Sequence, residues 1–330
     1  MIVVDDRWLG SHGIGRFASE VISRLDNVER IGLSGNPSGL WQIFSLPIKL
    51  LSKKRGVFFT SGFNAPIYSP IPYIFTLHDL IHLNLKEATS LSKKIYYNVV
   101  IKWSAKRTFG ILTVSNYSKQ DILGWLNIPE EKVIVTGCGV SQNFSLRGKI
   151  YEPGYPYIFC LGNIKPHKNV VRLVNAFAQA DINRNYRLLI ATEATSELRS
   201  LIKSLDIENR VVFTGFIDEN DLPAYYRGAK AFVFPSLYEG FGLPILEAMA
   251  CGTPVITSNV TAMPEVAGEA AILVDPYSIS SIAHGIERIT NDANLKQTLC
   301  SKGLKRVKLF TWDKTAAVVK EVLDRALKIQ

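Results

Sequence analysis

The sequence predicts an α/β protein with two doubly wound parallel sheets, and three observations support this fold class. The chain has 330 residues, which suits two domains of ordinary size. Short apolar runs alternate with helical stretches, such as residues 169–180 and 278–289, along its whole length. Most of the runs are continuously apolar, as strands buried on both faces should be. The sheets should therefore be parallel, with helices on both sides.

Eleven runs are predicted as strands, and a segment rich in glycine and proline divides them. The strands predicted before that segment are residues 2–4, 56–61, 73–78, 111–115 and 132–136. Those predicted after it are residues 157–161, 187–191, 210–214, 231–235, 254–258 and 271–274. We expect a first domain over residues 1–145, a linker over 146–156, a second domain over 157–309 and a terminal helix over 310–330. Ligands bind at the carboxyl ends of the strands in such sheets, so two facing domains would form a cleft.

The composition is that of a soluble globular protein, with 47% hydrophobic and 20% charged residues. The charged start of the chain does not resemble a signal peptide, and no run of about 18 apolar residues could span a membrane. The four cysteines are scattered without a Cys-x-x-Cys pair, which argues against a zinc site or a disulfide framework. We expect a protein of the reducing cytoplasm.

The net charge of +9 lies almost entirely in the first half of the chain. Residues 1–150 carry 18 Lys and Arg against 10 Asp and Glu, whereas residues 151–330 carry 20 against 19. This asymmetry indicates an anionic partner: a membrane surface, a phosphorylated substrate or nucleic acid. Two basic stretches, 41–55 and 92–107, also hold apolar residues at helical spacing, which favours a membrane surface. Alternatively, each apolar stripe packs on a sheet and the lysines are simply solvated.

The segment with the clearest chemical content runs from Pro235 to Gly252 and reads PSLYEGFGLPILEAMACG. It follows an apolar strand, and its glycines let the backbone approach a ligand closely. Pro244 suits the start of a helix, whose N-terminal N–H groups would bind a diphosphate. Glu239 in the loop and Glu247 in the helix can then reach different parts of one extended ligand. The alternative is a turn with a solvated Glu239 and a Glu247 favoured by the helix dipole.

The spacing of Glu239 and Glu247, and the sequence around them, resemble the retaining GT-B glycosyltransferases of family 4. The similarity extends over nearly the whole chain and is strongest over residues 157–276. It implies that Glu239 contacts a donor sugar, that Glu247 contacts the nucleotide ribose, and that the terminal helix crosses back towards the first domain. The backbone amides that it assigns to the diphosphate are those of Gly240, Phe241, Gly242 and Leu243.

A second strand-to-helix loop, LGNIKPHKN over residues 161–169, belongs to the same resemblance. A cation in this loop would neutralise charge on the departing nucleotide. Lys168 matches the phosphate-binding lysine of the family, whereas His167 stands where the family usually has arginine. The sequence leaves open whether His167 supplies a second positive charge. It also leaves open that Lys165 and Lys168 are solvated loop residues.

The segment TLHDL, residues 76–80, ends an apolar strand, where a doubly wound domain presents functional side chains. The family similarly has a His-Asp pair here, which implies that His78 lies beside the donor sugar as a catalytic residue with Glu239. We expect a structural role for Asp79. Without this context, His78 would be interpreted as a capped or buried histidine.

The segment HGIGRFA, from His12 to Ala18, precedes a predicted helix. It resembles the glycine-rich first loop of these enzymes, which implies that Gly13, Gly15 and Arg16 border the donor phosphates. The spacing also matches the Gly-x-Gly-x-x-Ala fingerprint of dinucleotide-binding proteins. That fingerprint requires a tight turn directly after a strand, and here the predicted strand ends about eight residues earlier. Arg16 could also be an ordinary solvated residue.

Together these residues predict a retaining glycosyltransferase that uses a nucleotide-diphosphate sugar. The resemblance is strongest to mannosyl- and rhamnosyltransferases of bacterial surface polysaccharides such as the O-antigen of lipopolysaccharide. It favours GDP-mannose, with dTDP-rhamnose or a UDP-sugar as alternatives. The acceptor should be a glycan or polyprenyl-linked oligosaccharide, reached from the cytoplasm by peripheral contact with an anionic membrane. No Asp-x-Asp motif is present and fixed cations should do the work of a metal, so we expect neither a metal nor a cofactor, and no nucleic acid.

Three other classes of protein stay open from the residues alone. A nucleotide-sugar epimerase on the same fold would turn over the donor without an acceptor. An NAD-dependent dehydrogenase would use the glycine-rich segment near the start of the chain. A noncatalytic nucleic-acid-binding protein would use the basic half, and its binding would depend strongly on salt.

Overall fold

A computed structural model describes residues 1–10, 13–35, 37, 39, 41–85 and 91–329. The chain divides into two compact units. The first unit comprises Met1–Gly139 and Thr311–Gln330, and the second unit comprises Val140–Phe310. Each unit holds one six-stranded parallel sheet with helices between its strands. The α/β class predicted from the sequence, with two doubly wound parallel sheets, is therefore confirmed.

The strand order reverses within each sheet, which makes both sheets doubly wound. The strands of the first unit are β1 (Ile2–Asp5), β2 (Val28–Arg30), β3 (Val57–Thr60), β4 (Tyr73–Thr76), β5 (Gly110–Thr113) and β6 (Val133–Val135), in the order β2-β1-β3-β4-β5-β6. The strands of the second unit are β7 (Tyr157–Leu161), β8 (Arg187–Ala191), β9 (Val211–Phe213), β10 (Ala231–Phe234), β11 (Val255–Ser258) and β12 (Ala271–Val274), in the order β12-β11-β10-β7-β8-β9. In the second sheet the order reverses between β7 and β10, and sheets of this type bind ligands at such a reversal.

The helices connect successive strands and cover both faces of the sheets. Those of the described residues are α1 (Gly13–Ile22), α2 (Gln42–Leu50), α3 (Ile81–Asn84), α4 (Leu91–Tyr96), α5 (Lys102–Arg107), α6 (Asn116–Trp125), α7 (Val170–Gln179), α8 (Ser196–Ser204), α9 (Leu222–Gly228), α10 (Leu243–Ala250), α11 (Met263–Ala267), α12 (Ile279–Asn291), α13 (Ala293–Val307) and α14 (Trp312–Leu327). A π-helical turn, Tyr97–Ile101, joins α4 to α5. Because helices cover both faces, β1, β3, β4, β5 and β10 are buried along their whole length.

One strand, β2, is absent from the strands predicted from the sequence. It consists of Val28, Glu29 and Arg30, pairs only with β1, and has no fully buried residue. An edge strand of this kind needs no apolar run, so the pattern that reveals the buried strands does not reveal it.

The predicted linker, residues 146–156, belongs to the second unit, and the predicted terminal helix belongs to the first unit from Thr311 onwards. Residues 146–156 pack on α9 in the second unit, where Tyr151 N donates to Ala224 O at 3.0 Å and the Tyr151 ring stacks on Tyr225. Helix α14 belongs to the first unit, where Trp312 lies edge-to-face with Phe17 of α1 at 6.3 Å between ring centroids.

A buried ion pair lies at the carboxyl end of β1. Asp5 is fully buried, and Arg7 Nε donates to its Oδ1 at 2.7 Å, with only 6% of the Arg7 side chain exposed. Asn64 Nδ2 donates to the other carboxylate oxygen at 2.5 Å, and Trp8 and Thr60 donate to the Asn64 side-chain oxygen. Removing one partner of such a pair leaves the other charge buried and uncompensated, which is strongly destabilising.

We therefore expect Asp5→Ala to lower the free energy of unfolding by about 3–5 kcal/mol, measured by urea denaturation. The matched control is Asp26→Ala, which breaks the pair with Lys320 in the same unit. There the Asp26 side chain is 75% exposed, so solvent already screens the charges and little change is expected. Equal effects of the two substitutions would contradict the prediction.

Candidate functional site

The loops that follow β7 and β10 are bound to each other at the reversal of the second sheet. Leu237 N donates to the carbonyl of His167 at 2.7 Å. Asn169 adopts a left-handed conformation with φ 62°, which asparagine tolerates better than most residues. Its side-chain nitrogen donates to Pro235 O at 3.0 Å and to Pro276 O at 2.7 Å. The side-chain amide of Asn169, in the loop after β7, thereby connects this loop to the loops after β10 and β12.

Lys168 and Glu239, two of the predicted site residues, form an ion pair between these loops. Lys168 Nζ lies 2.7 Å from Glu239 Oε1, and the side chains are 19% and 16% exposed. The same Nζ lies 5.2 Å from the centre of the Phe234 ring, and a Cβ placed on Gly162 would lie 3.5 Å from the Lys168 stem. Thr261, in the loop after β11, accepts a hydrogen bond from Glu239 N at 3.3 Å. A partly buried cation is therefore held in one place beside the loop after β10.

Helix α10 begins where this loop ends. Gly242 precedes the helix with φ 104°, a conformation that strongly favours glycine. The first N–H groups of a helix have no partner within the helix and favour an anion. Phe241 is 8% exposed and lies edge-to-face with Phe310, so its side chain is largely buried. Gly240 is buried and Leu243 half-buried at the same turn.

Glu247 lies in the second turn of α10 and is only 3% exposed. The hydroxyl of Tyr226, on α9, donates to Glu247 Oε2 at 3.1 Å, and Tyr226 is itself fully buried. Thr253 Oγ1 in turn donates to the carbonyl of Tyr226 at 2.6 Å. Tyr226 thus orients the Glu247 carboxylate, a role that nothing in the local sequence indicates.

His167, which stands where the family usually has arginine, is a largely buried residue of this site. Its side chain is 8% exposed, and this burial lowers the pKa of the imidazole. The positive charge of Lys168 lowers the same pKa further, while the carboxylate of Glu239 acts in the opposite direction. Burial and the neighbouring lysine thus both disfavour the charged form of His167.

His78 lies directly after β4 in the first unit. Its Nε2 lies 2.9 Å from the carbonyl oxygen of Ser61, which can only accept, so Nε2 carries a proton. The ring also packs edge-to-face on Phe17 of α1, with 5.0 Å between centroids. Asp79 Oδ1 accepts a hydrogen bond from Ile81 N at 2.9 Å at the start of α3, which is a structural contact.

The glycine-rich segment forms the start of α1. A side chain on Gly15 would place its Cβ 2.4 Å from the carbonyl oxygen of Gly10, so only glycine fits this close approach. Gly13 is exposed, Arg16 is half-buried, and His12 lies outside the described residues. A 3-10 turn, Asp6–Trp8, follows β1, so α1 does not begin in a tight turn after the strand. This geometry disfavours the dinucleotide-binding alternative.

In the part of the chain that the structure describes, no three or more His, Cys, Asp or Glu side chains are grouped so that they could hold a metal ion. None of the helices described there has the length and the apolar content that crossing a membrane requires.

Two family models match the chain one after the other. The model for Glycosyltransferase Family 4 matches residues 15–144, and the model for Glycosyl transferases group 1 matches residues 145–306. The chain belongs to glycosyltransferase family 4. The resemblance seen in the sequence is thereby confirmed, as is the predicted class of enzyme, a glycosyltransferase of a retaining family.

Several curated relatives of this family 4 chain are mannosyltransferases. O-antigen chain mannosyltransferase B of Escherichia coli is 30% identical over 73% of this chain and 67% of its own length. O-antigen chain mannosyltransferase RfbU of Salmonella typhimurium is 32% identical over 65% of this chain and 60% of its own. The serotype-specific mannosyltransferase WbdA of Escherichia coli is 30% identical over 78% of this chain, which spans only 34% of WbdA.

Solved structures of similar shape show the fold. HepE of Anabaena in complex with UDP has a TM-score of 0.79 at 18% identity, covering 98% of this chain and 99% of that one. Sucrose-phosphate synthase of Thermosynechococcus elongatus has a TM-score of 0.76 at 20% identity, covering 100% and 99%. With the two six-stranded parallel sheets, these neighbours establish the GT-B fold that the resemblance implied.

We expect His167 to titrate with a midpoint below the value of about 6.5 of an ordinary histidine, measured by NMR on its ring protons. Lys168→Met should raise this midpoint, because it removes a positive charge that opposes protonation. Glu239→Gln should lower it further, because it removes a negative charge that favours protonation. Lys203→Met, an exposed lysine on α8, serves as the control. A midpoint above 6.5, or shifts of the same sign in the two site variants, would contradict the assignment.

Proposed function

We propose that this family 4 enzyme transfers a hexose, mannose from GDP-mannose, to a hydroxyl of a glycan or polyprenyl-linked acceptor. One observation carries the proposal: a fixed cation, a helix N-terminus and two carboxylates are assembled at the reversal of the second sheet. This set matches a diphosphate with a polyol on each side, which is the chemistry of a nucleotide-diphosphate sugar. The mannosyltransferases among the relatives support mannose over rhamnose as the transferred sugar, and the resemblance seen in the sequence favours GDP as its carrier.

Each residue of the site has a proposed role. Lys168 and the backbone amides from Gly240 to Leu243 bind the diphosphate and stabilise the negative charge that grows on it as the bond to the sugar breaks. Glu239 accepts hydrogen bonds from hydroxyls of the donor sugar, and Glu247 accepts them from the ribose. In the first unit, Gly13, Gly15 and Arg16 border the phosphates.

The proposed reaction breaks the bond between the anomeric carbon and the diphosphate and forms one to the acceptor oxygen. We assign no carboxylate as a nucleophile, because the partly buried Glu239 is engaged by Lys168. A phosphate oxygen of the leaving group instead takes the proton of the acceptor hydroxyl on the same face of the sugar, so the configuration is retained. His78, with its Nε2 proton held by Ser61, contacts the sugar at the reacting end.

The surface of the first unit supports an acceptor at a membrane. Helix α2 buries Leu46 and Leu50, and the helix formed by α4, the π turn and α5 buries Val100 and Ile101. Both helices also carry a second apolar stripe that is open to solvent. The exposed residues, 51% to 75% accessible, are Trp41, Phe44, Ile48 and Leu51 on and beside α2, and Leu91, Ile95, Val99 and Trp103 at four-residue intervals on α4–α5. Packing on the sheet therefore accounts for only part of the apolar pattern.

A groove lies beside the exposed stripe of α4–α5. Its lining includes Ile95, Val99 and Trp103 of that stripe and Ile43 of α2, and its volume is about 500 Å³. Arg107 stacks on the Trp103 ring, 3.4 Å from its centre. Residues 41–107 contain ten Lys and Arg but only two Asp and Glu. Apolar side chains among basic ones complement anionic headgroups and the acyl chains beneath them, so we propose that this face binds the cytoplasmic side of the membrane.

For the donor site, we expect Lys168→Met and Glu247→Gln each to weaken GDP binding at least about tenfold, or about 1.4 kcal/mol, in isothermal calorimetry. The first loses the side-chain charge that meets the diphosphate, and the second replaces one of the two carboxyl oxygens that could accept from the ribose with an amide nitrogen. Lys203→Met should bind GDP as the unaltered protein does, and circular dichroism should confirm that all variants are folded. Unchanged affinity in both site variants would rule out these roles.

For the membrane face, we expect the protein to sediment with phosphatidylglycerol vesicles and to be released progressively by salt. Each Lys or Arg near an anionic surface contributes about 1 kcal/mol, so replacing exposed Lys49, Lys54 and Arg55 with Glu should weaken binding at least about a hundredfold. Replacing Lys203, Lys305 and Lys308 of the second unit with Glu changes the net charge equally and is the control. Equal recovery with neutral vesicles, or equal effects of the two triple variants, would refute membrane binding by this face.

A further inference from the structure

A second cleft of the first unit lies between α5 and the end of α6, next to the exposed stripe of α4–α5. Its volume is about 490 Å³, which is in the range of small-molecule sites. From the helix formed by α4, the π turn and α5, it is lined by Asn98, Val99, Lys102, Trp103 and Lys106. From the end of α6 and the residues after it, it is lined by Trp125, Leu126, Asn127 and Ile128.

The charge in and beside this cleft is positive. Lys102 and Lys106 line it, and its described lining includes no Asp or Glu. Lys102 Nζ lies 5.4 Å from the centre of the Trp125 ring, a contact that stabilises a cation. Lys132 Nζ donates to the carbonyl oxygen of Lys106 at 3.0 Å, so a third ammonium group lies at this end of α5. Among the described residues, no carboxylate forms an ion pair with any of the three lysines, so an anion would meet them without competition.

The cleft adjoins the apolar groove of the membrane face. Val99 and Trp103 line both cavities, so these two residues form the ridge between them. The other residues that line the groove are Ile43, Ile67, Tyr68, Ile95, Tyr96 and Val100, none of which is charged. A cationic cleft towards α6 and an apolar groove towards α2 therefore lie on either side of one ridge.

A phospholipid has the chemistry that this pair of cavities requires. Its phosphate is joined to hydrocarbon chains, lysines bind phosphate as point charges, and an apolar groove accepts a chain. Indole rings are enriched where headgroups meet hydrocarbon, which is the position that Trp103 has between cleft and groove. A phosphate compound without a chain would leave the groove empty, and a neutral hydrocarbon would leave the lysines without an anion.

The cleft lies away from the reacting end of the first unit. Helix α5 ends at Arg107, shortly before β5 begins at Gly110, and the residues after α6 lead to the start of β6 at Val133. The cleft is therefore at the amino edge of the first sheet, whereas His78 follows the carboxyl end of β4. A lipid bound in the cleft holds its headgroup at the edge opposite His78, so it is not the acceptor of the reaction.

We propose that the cleft and the groove together bind one anionic phospholipid of the membrane, with its phosphate at Lys102 and Lys106 and an acyl chain in the groove. This rests on the proposed function, because it takes the membrane face from it. It adds a site that holds one lipid per chain to a face that would otherwise attract an anionic surface through net charge alone.

The test is calorimetric titration of the full chain with dihexanoylphosphatidylglycerol below its micelle concentration. We expect one molecule to bind per chain. Dihexanoylphosphatidylcholine, whose choline cation offsets the phosphate, and glycerol 3-phosphate, which has no acyl chain, should each bind at least about tenfold more weakly.

Two double variants separate the cleft from the general charge of the membrane face. Lys102→Gln combined with Lys106→Gln should weaken binding of dihexanoylphosphatidylglycerol at least about tenfold. Lys49→Gln combined with Lys54→Gln removes the same charge from exposed lysines outside the cleft, and should leave this one-to-one binding unchanged. Circular dichroism should confirm that both variants are folded.

The outcomes separate this inference from the proposed function. If no single phosphatidylglycerol binds, if phosphatidylcholine binds equally well, or if the two double variants have equal effects, the lipid site is wrong. Salt-dependent sedimentation with phosphatidylglycerol vesicles would then show that the membrane face still stands without it. If the protein neither binds the soluble lipid nor sediments with these vesicles, the membrane face fails together with the lipid site.

Discussion

The second unit depends on the attachment of the loop after β7 to the loop after β10. Three successive residues take part: the carbonyl of His167, the ammonium of Lys168 and the amide of Asn169. The backbone and amide bonds fix the distance between the loops, and the ion pair forms on that frame. A lysine side chain loses about 2 kcal/mol of rotamer entropy when it is fixed. Its contacts with Glu239 and Phe234 offset part of that cost before any ligand binds.

The candidate site could be predicted from the sequence only where its residues are close together along the chain. Glu239, Glu247 and the glycines between them lie within one short motif, and local rules for helix starts and close backbone approach apply to such a motif directly. Tyr226 and Asn169 bond to residues far along the chain, at Glu247 and Pro276. No local pattern encodes such a contact, so their roles become visible only in the folded structure.

In the first unit, hydrophobic patterns in the sequence likewise predict some features of the helices and strands but not others. Helical spacing correctly places Ile95, Val99 and Trp103 on one face, but periodicity does not say whether a face is covered. The predicted stripe also includes Tyr96 and Val100. Val100 is buried and Tyr96 half-buried, whereas Ile95, Val99 and Trp103 are exposed. Continuous apolar runs revealed the buried strands because burial on both faces leaves little choice of residue. The edge strand β2 is not buried on both faces, so it needs no continuous apolar run and could not be predicted from one.

The position of α14 has a consequence for the order in which the chain folds. Trp312, Val319 and Leu323 of this helix are buried in the first unit, although the whole second unit lies between them and residue 139 in the sequence. During synthesis, the second unit is therefore complete before the first can bury its core around α1 and β3. Domains generally fold in the order in which they leave the ribosome. Here the first unit is finished after the second, and until then its apolar surface under α14 is exposed.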